Sequence, residues 1–347
     1  MISPPNPIRV GIIGAGIGRQ HLRGYLGVNG AQITAICDLD SERAALLASE
    51  NNLKARIFSD YRALVDACCV DAVSVCVPNF LHAEVAIACL EAGLHVLCEK
   101  PLAMNALEAQ TIAEAARKSG KVCMVSHVLR FRDDVTALKT EIQAGRIGEI
   151  YYARALARRI SGIPKWGGWF TQQKLAGGGP LIDTGVHILD LAWWLCGRPR
   201  PISASAVTYA KFGPRKLGLG AGGAANSDGV FDVEDLAAGL IRFENGLSLH
   251  FEATWAIHAL NDERFCHLHG TDGAILWDDA PKIIDRNGVV SPISAQSGDA
   301  WTNQMAHFVA CIQNDEKPDP DAAQGVAMMQ ILDALYQSAR ENCEVKI

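Results

Sequence analysis

The stretch Arg9-Val10-Gly11-Ile12-Ile13-Gly14-Ala15-Gly16-Ile17-Gly18 decides the fold of the first part of this chain. It begins as a short apolar strand and runs directly into closely spaced glycines. A helix-like pattern then follows from Gln20 to Gly27. Glycines in such a turn let the backbone approach a pyrophosphate, and the helix N-terminus supplies free N–H groups and a positive dipole end. We therefore predict a dinucleotide-binding unit whose turn residues are Gly14, Gly16, Ile17 and Gly18.

The glycine spacing departs from the usual Gly-x-Gly-x-x-Gly, because Arg19 occupies the third glycine position and Gly18 comes one residue early. The next apolar strand, residues 33–37, ends in Asp38, as such a unit requires. A carboxylate here can accept the ribose hydroxyls and would repel a 2′-phosphate, which favours NAD over NADP. Arg43 could still accommodate that phosphate, so NADP remains the alternative cofactor. Asp38 could also be an ordinary cap of the following helix.

Strands and helices continue to alternate up to residue 126. Residues 71–77 read as a strand, 81–92 as a helix closed by Gly93, and 94–98 as another strand. The next helix opens with Asn105 and Glu108, a variant of the capping box, and residues 122–126 form a further strand. This alternation predicts a parallel, doubly wound sheet.

The tripeptide Glu99-Lys100-Pro101 ends the fourth of these apolar runs. A proline stops the strand and holds the preceding lysine in an extended conformation. The carboxyl ends of parallel strands form the edge at which open α/β sheets bind ligands. Lys100 is therefore a candidate for proton transfer, and the alternative is a solvated surface lysine beside a turn.

Several motifs together resemble the glucose–fructose oxidoreductase / inositol dehydrogenase / MocA (Gfo/Idh/MocA) family. The resemblance covers nearly the whole chain, and Glu-Lys-Pro is its most specific element. The motifs are Gly14-Ala15-Gly16, Pro78-Asn79-x-x-His82, Ala92-Gly93-x-His95-Val96, Glu99-Lys100-Pro101 and Arg130-Phe131.

The resemblance implies a nicotinamide cofactor whose reactive end lies near Glu99 and the catalytic Lys100. It also implies that Pro78, Asn79 and His82 line the cofactor channel. His82 has an alternative interpretation, as a helix-start residue that contacts the backbone.

After residue 123 the pattern changes to strands joined by turns. The strand-like runs are 151–159, 202–210, 234–243, 246–255 and 264–269, with Asn245-Gly246 predicted as a two-residue hairpin connection. We therefore predict an α/β protein with a Rossmann domain, residues 1–123, and an α+β domain, residues 124–347, containing a large, mainly antiparallel, open-faced sheet. In the family this second domain binds substrate, and its open sheet face packs against a partner subunit, which implies a homodimer or homotetramer.

A second candidate site lies in the glycine-rich stretch 177–190. Asp183, His187 and Asp190 are spaced as a polar stripe on one face of an otherwise apolar helix. One interpretation is a capping aspartate with a satisfied core histidine, and another is a metal site, for which no further His or Cys lies nearby in sequence. The third is acid–base chemistry, which the resemblance favours: His187 takes a hydroxyl proton, Asp183 orients it or the substrate, and Lys100 holds the hydroxyl oxygen and relays the proton.

Other residues could complete a substrate site. Trp166, Trp169 and Phe170 could stack on a sugar ring or could pack in a core. Arg130 could contact substrate or cofactor. Alternation along a strand would separate Cys266 from His267 and His269, so we predict no metal site there. The glycine-rich stretch 213–229 is expected to be a mobile loop that borders the active site.

The overall composition narrows the class of protein. A length of 347 residues fits two domains of about 150 residues each. The net charge of −6 gives no support for nucleic-acid binding. No apolar run approaches the roughly 20 residues of a membrane span. The start of the chain, residues 1–5, does not resemble a signal peptide, and most of the eleven cysteines lie in apolar runs, which favours a cytoplasmic protein.

The sequence thus predicts an NAD(P)-dependent oxidoreductase that interconverts a secondary alcohol and a ketone on a polyol, sugar or sugar derivative. Two alternatives from other classes remain. The first is a cofactor-binding sensor without catalysis, and the second is an NAD-dependent glycosidase of the same family.

Overall fold

Six parallel strands form the first sheet of the computed structural model, which describes residues 6–295 and 298–347. Residues 1–5, on which the argument about a signal peptide depends, lie outside the described part. The strand order is β3-β2-β1-β4-β5-β6. The strands are β1 (Ile8–Ile13), β2 (Ala31–Cys37), β3 (Arg56–Phe58), β4 (Ala72–Val75), β5 (His95–Glu99) and β6 (Cys123–Ser126).

Five helices alternate with these strands, which confirms the predicted Rossmann fold. They are α1 (Gly18–Leu26), α2 (Ser41–Glu50), α3 (Tyr61–Asp66), α4 (His82–Glu91) and α5 (Ala106–Ser119). The strand order reverses between β1 and β4, and the crevice at such a switch point is where doubly wound sheets bind their ligands. The predicted cap of α5 is confirmed, since the Asn105 side chain accepts a hydrogen bond from the N–H of Glu108 at 2.9 Å.

The chain forms two compact units, and their division differs from the predicted one. The first unit contains the described residues of Met1–Arg132 together with Gly298–Val326, and the second contains those of Asp133–Ser297 together with Ala327–Ile347. The sequence-based boundary at residue 123 is thus too early, and it overlooks a later segment that returns to the first unit.

Two sets of contacts explain why residues 298–326 belong to the first unit. Helix α9 (Ala300–Asn314) packs closely on α1, because a Cβ atom at Gly24 would lie 2.8 Å from the carbonyl oxygen of Trp301. The N–H of Val125 in β6 donates to the Pro320 carbonyl at 3.1 Å. These contacts join segments that are far apart in sequence, so local patterns could not predict them.

The second unit is built on a nine-stranded sheet of order β14-β13-β12-β11-β7-β10-β9-β8-β15. Among the strands that the structure describes in this sheet, only β7 and β10 pair in parallel, so the predicted mainly antiparallel sheet is confirmed. The strands are β7 (Ile150–Arg158), β8 (Pro201–Tyr209), β9 (Leu236–Phe243), β10 (Ser248–Thr254), β11 (Glu263–Gly270), β12 (Gly273–Trp277), β13 (Lys282–Asp285), β14 (Val290–Pro292) and β15 (Val345–Lys346).

The hairpin between β9 and β10 differs from the predicted two-residue connection. Phe243 N–H donates to the Leu247 carbonyl at 3.0 Å, so the loop consists of Glu244, Asn245 and Gly246. Gly246 has φ +84°, the left-handed conformation typical of the third position in this longer hairpin. The Asn-Gly pair marks the turn correctly but sits one position too late to form a two-residue loop.

The helices of the second unit include one with an irregular start. They are α6 (Asp133–Gln143), α7 (Gln173–Ala176), α8 (Val186–Leu195) and most of α10 (Ala322–Glu341). A π-helical turn, Leu181–Gly185, precedes α8 and lies against β10 and β7. The single predicted helix through Asp183 and His187 is therefore two segments, with Asp183 in the π turn and His187 in the α-helix.

Candidate active site

The glycine turn after β1 has the shape that a pyrophosphate requires. Gly14 has φ +99°, and a Cβ atom there would lie 2.3 Å from the Cys76 carbonyl oxygen, so any side chain is excluded. A Cβ atom at Gly16, in contrast, would meet nothing within 4 Å. No side chain caps α1 at Ile17, which is 43% exposed. The turn thus combines open space with a helix N-terminus, and these residues fit a dinucleotide.

Asp38, at the end of β2, is buried and points back to this turn. Its carboxylate accepts hydrogen bonds from Ala15 N–H at 2.7 Å and Asp40 N–H at 2.9 Å, and it pairs with both Nε and Nη2 of Arg43. Burial alone would raise the pKa of Asp38, but these donors outweigh it and hold the pKa below its ordinary value. The helix cap is Asp40, which accepts from Arg43 N–H, so Asp38 is available as the ribose-binding carboxylate.

The His82 ring links two loops of the first unit. It is buried, with Nδ1 2.7 Å from the Pro101 carbonyl oxygen and Nε2 2.9 Å from that of Val77. Burial lowers the pKa of His82 below its ordinary value. These contacts favour the backbone-contact interpretation of His82. Pro78 and Asn79, which lie between Val77 and His82, are held by this link at the carboxyl end of β4.

A buried hydrogen-bond network lies beneath Lys100. Glu99 is 5% exposed; its Oε1 accepts from His21 Nε2 at 2.8 Å and from Ser126 Oγ at 2.8 Å, and its Oε2 accepts from Lys100 N–H at 3.1 Å. Gln304 Nε2 donates to the same Ser126 hydroxyl at 2.8 Å. Burial would raise the pKa of Glu99, but the bond and charge of His21, aided by Lys100 and Ser126, keep it below its ordinary value. These bonds fix Glu99 beside Lys100, and its contact with the cofactor stays a prediction.

Arg130 has partners within the first unit that the sequence did not indicate. Its guanidinium, 1% exposed, donates from Nη1 to Asp319 Oδ1 and to Gln324 Oε1, both at 2.7 Å. This arrangement holds the returning segment 298–326 against the residues after β6. The contacts favour a structural role over the predicted contact with substrate or cofactor.

The second group of candidate residues lies in the second unit, around the π turn. Asp183 and His187 are half-buried, whereas Asp190 is fully buried. Asp183 Oδ2 accepts a hydrogen bond from Trp255 Nε1 at 2.9 Å. Trp255 is itself completely buried, so it fixes this carboxylate rigidly.

An open cavity of about 660 Å³ in the second unit is lined by His187, but not by Asp183 or Asp190. Thr184 and His187 line one side of it, and most of the remaining wall is polar or charged, including Arg159, Asp262, Arg264 and Asp278. A wall of this kind offers many hydrogen-bond donors and acceptors in several directions. It is suited to a ligand that carries several hydroxyl groups.

The aromatic residues predicted to stack on a sugar have two different environments. Trp166 is buried in a cluster with Ile163, Val233 and Trp255, and its Nε1 donates to the Gly213 carbonyl at 2.7 Å. This burial favours core packing for Trp166. Trp169 is half-buried and stacks on Phe170, with ring centroids 3.8 Å apart.

The stretch 213–229 is tied to the segment that carries Trp166. Backbone bridges join Ile163 to Leu219 and Trp166 to Ala224. It also forms one wall of a separate cavity of about 440 Å³, which Arg159, Lys165 and Phe170 line from the other side. Its border with a substrate site stays a prediction.

The predicted alternation at Cys266-His267-Leu268-His269 is confirmed. Cys266 is buried, while His267 stacks on Phe265 and His269 on Tyr152 at the other face of the sheet. Among residues 6–295 and 298–347, no group of three His, Cys, Asp or Glu side chains could hold a metal ion. In the same residues no helix is both long and apolar enough to cross a bilayer.

Sequence reasoning missed the residues that hold the site in place. His21 on α1, Ser126 on β6 and Gln304 on α9 support Glu99, and Trp255 supports Asp183. No local sequence pattern indicated any of them. Each acts through a contact with a distant segment.

Comparisons with known proteins agree across both units. The Gfo/Idh/MocA oxidoreductase model with its NAD-binding Rossmann fold matches residues 8–127, and the Gfo/Idh/MocA C-terminal domain model matches residues 135–276. The chain is 35% identical to D-glucoside 3-dehydrogenase of Escherichia coli (strain K12), covering 99% of this chain and 98% of that protein. It is 32% identical to levoglucosan dehydrogenase of Pseudarthrobacter phenanthrenivorans, covering 78% and 73%.

Solved structures give the same result. The complex of levoglucosan dehydrogenase with NADH and levoglucosan has a TM-score of 0.87 and 26% identity, covering 99% of this chain and all (100%) of that chain. The predicted fold of both parts of the chain is thereby confirmed.

Alanine substitutions at the two turn glycines should have different effects, one on stability and the other on NAD binding. In Gly14→Ala, the new methyl group collides with the Cys76 carbonyl in a left-handed backbone, so we expect a stability loss of about 1–3 kcal/mol in thermal unfolding. In Gly16→Ala the methyl group has free space, so unfolding stays as in the wild type. NAD binding measured by calorimetry should nevertheless weaken at least about tenfold, because the methyl group takes the place of the pyrophosphate. Wild-type NAD affinity in Gly16→Ala would contradict this assignment.

The His21–Glu99 pair predicts a change in acid stability. The pKa of Glu99 in the folded protein lies below its ordinary value of 4.5, so its stabilising effect is complete above that pH and is lost as pH falls through the lowered pKa. His21→Phe removes the donor and raises this pKa, so acid unfolding followed by circular dichroism should occur at higher pH. At pH 7 we expect a loss of about 1–3 kcal/mol. His21→Gln, which keeps an N–H donor, is the control, and an unchanged acid midpoint in His21→Phe would refute the role of the pair.

Proposed function

The chain belongs to the Gfo/Idh/MocA family of oxidoreductases, and from this membership we propose that it is an NAD-dependent dehydrogenase of a sugar or polyol. It interconverts a secondary alcohol and a ketone. The observation that carries the proposal is the position of His187, on a cavity with a largely charged wall that suits a polyhydroxylated ligand. Two relatives, D-glucoside 3-dehydrogenase and levoglucosan dehydrogenase, are named for sugar substrates, which supports the same substrate class.

The two units divide the work in this proposal. The first unit binds the dinucleotide through the glycine turn and Asp38, and the second binds the sugar. The NAD, when bound, supplies the hydride acceptor for alcohol oxidation and the hydride donor for the reverse reaction. All remaining chemistry falls to side chains of the protein.

Three side chains move and hold the proton. His187 takes the proton of the substrate hydroxyl as hydride leaves the carbon. Lys100 donates a hydrogen bond to the hydroxyl oxygen and relays the proton. Asp183, fixed by the Trp255 indole, orients His187 or the substrate.

Two further features of the protein are part of the proposal. The open face of the second sheet joins subunits into a homodimer or homotetramer, which is supported by the exposed Val207 and Tyr209 on β8. The protein works in the cytoplasm, which is supported by its eleven cysteines, all of them free.

The catalytic assignment is tested by Lys100→Met with a panel of glucosides, anhydrosugars, inositols and keto-sugars. We expect wild-type turnover of one substrate with NAD, and a loss of about 10²–10⁴-fold in kcat for the variant, since general acid–base groups contribute this much. The affinity for NAD should stay the same. His187→Asn and Asp183→Asn should lose activity too, while Lys118→Met, an exposed lysine, is the control.

The outcome that contradicts the proposal is full activity in Lys100→Met. Tight NAD binding by the wild type with no turnover across the panel would favour a sensor, and cleavage of a glycoside with no net change in NAD would favour a glycosidase.

The choice of NAD over NADP is tested by Asp38→Ser. Removal of the carboxylate frees Arg43 to meet a 2′-phosphate, so the ratio of NAD to NADP affinity should fall at least about tenfold, or ~1.4 kcal/mol. Asp40→Ser is the matched control, because serine also caps α2 and the ratio should stay as in the wild type. An unchanged ratio in Asp38→Ser would show that this carboxylate does not select the cofactor.

A further inference from the structure

Glu234 is a buried carboxylate that packs against the start of the π turn that carries Asp183. It precedes β9 and is 8% exposed. Its oxygens accept three hydrogen bonds: from Gly179 N–H at 2.9 Å, from Leu181 N–H at 3.1 Å and from the Tyr336 hydroxyl at 2.9 Å. Two of these donors belong to the backbone immediately before and within the π turn.

The glycine run before the π turn is closed tightly on the same group. A Cβ atom at Gly178 would lie 2.0 Å from the Tyr336 hydroxyl, and one at Gly179 would lie 2.0 Å from the Glu234 carbonyl oxygen. The run therefore needs glycine because it packs against Glu234 and Tyr336. A backbone segment held this closely has little freedom to rotate.

Burial decides the protonation of the two side chains. Burial raises the pKa of Tyr336 well above its ordinary value, and the charge of Glu234 adds to this, so the hydroxyl keeps its proton and donates it. Burial also raises the pKa of the Glu234 carboxyl, while the backbone N–H groups oppose that rise. An amide N–H in place of either carboxyl oxygen would therefore face a backbone N–H donor, that of Gly179 or that of Leu181.

Trp255, whose indole N–H donates to Asp183, is linked through its backbone to the residue that follows Glu234. The backbone N–H of Trp255 donates to the carbonyl oxygen of Asp235, the residue that follows Glu234, at 3.0 Å. One pair of adjacent chain segments thus holds the π turn at two points. Glu234 accepts hydrogen bonds from the backbone of the turn, and Trp255 donates one to the carboxylate of Asp183.

We propose that Glu234 is a positioning residue that sets the rotation of the π turn, and through it the placement of Asp183 and His187. The kinetic consequence rests on the proposed function; the structural one does not. The N–H groups at the start of a helix have no partner within the helix, and Glu234 accepts two of them, from Gly179 and Leu181. In this role neither Glu234 nor any of its three donors needs to contact substrate.

The test is Glu234→Gln in the full-length protein, which keeps the size of the side chain but turns an N–H donor toward existing donors. We expect kcat to fall about 10–100-fold, since small displacements of reacting groups have effects of this size, while the Kd for NAD stays as in the wild type. Glu244→Gln, at an exposed carboxylate of the same unit, is the matched control and should leave kcat unchanged.

A second readout needs neither substrate nor cofactor. The indole N–H resonance of Trp255 reports its hydrogen bond to Asp183 and is assigned among the seven tryptophans by its loss in Trp255→Phe. It should be displaced in Glu234→Gln and unchanged in Glu244→Gln. A residue that only stabilised the fold would lower the unfolding temperature without moving this resonance.

Folded Glu234→Gln with wild-type kcat and a wild-type Trp255 resonance would overturn the proposal. If that variant does not fold, Tyr336→Phe replaces it; it removes one donor and should give a smaller change in both readouts, and no change in either would overturn the proposal. If the wild type oxidises no sugar, the proposed function fails, and the Trp255 resonance alone decides the role of Glu234.

Discussion

The first unit depends on the hydrogen bonds that the buried Glu99 carboxylate accepts. This carboxylate is buried directly behind Lys100 and would be costly to ionise there without donors. His21 on α1 and Ser126 on β6 supply them, and Gln304 on α9 supports Ser126. One ionised group therefore connects the cofactor-binding helix, two sheet strands and the returning helix at the end of β5. The backbone of Lys100, the next residue, is therefore held in a fixed position.

The second unit meets the same constraint with different residues. The turn that carries Asp183 begins with a glycine run and continues as a π turn, and the N–H groups at such a helix start have no partner within the helix. Glu234, supported by Tyr336, accepts those N–H groups, and Trp255 holds Asp183. In both units a side chain proposed for chemistry is thus attached to a segment that a buried carboxylate fixes. Such rigid mounting keeps reacting groups in place without contacting substrate.

Much of the fold could be predicted because it depends on local rules. Strand and helix alternation, the glycine turn and the cap at Asn105 each require only neighbouring residues to have particular shapes or donors. The local rules worked less well for side chains with long reach. Trp166 was predicted to stack on a sugar or to pack in a core, and Arg130 to contact substrate or cofactor; the structure buries both among partners that no pattern indicates. His82 shows the same limit, since one of its two carbonyl partners lies 19 residues away.

The sequence by itself determined the parallel sheet, the mainly antiparallel second sheet and the segments on which Lys100, Asp183 and His187 lie. These follow from periodicity and turn chemistry, which act over a few residues. The tertiary structure alone decided the unit boundary, the π turn and the partners of Glu99 and Glu234. The separation between Glu99 and His21 is 78 residues, and that between Glu234 and Tyr336 is 102. A buried carboxylate must take its donors from whatever segment the packing brings beside it, and no local pattern encodes that choice.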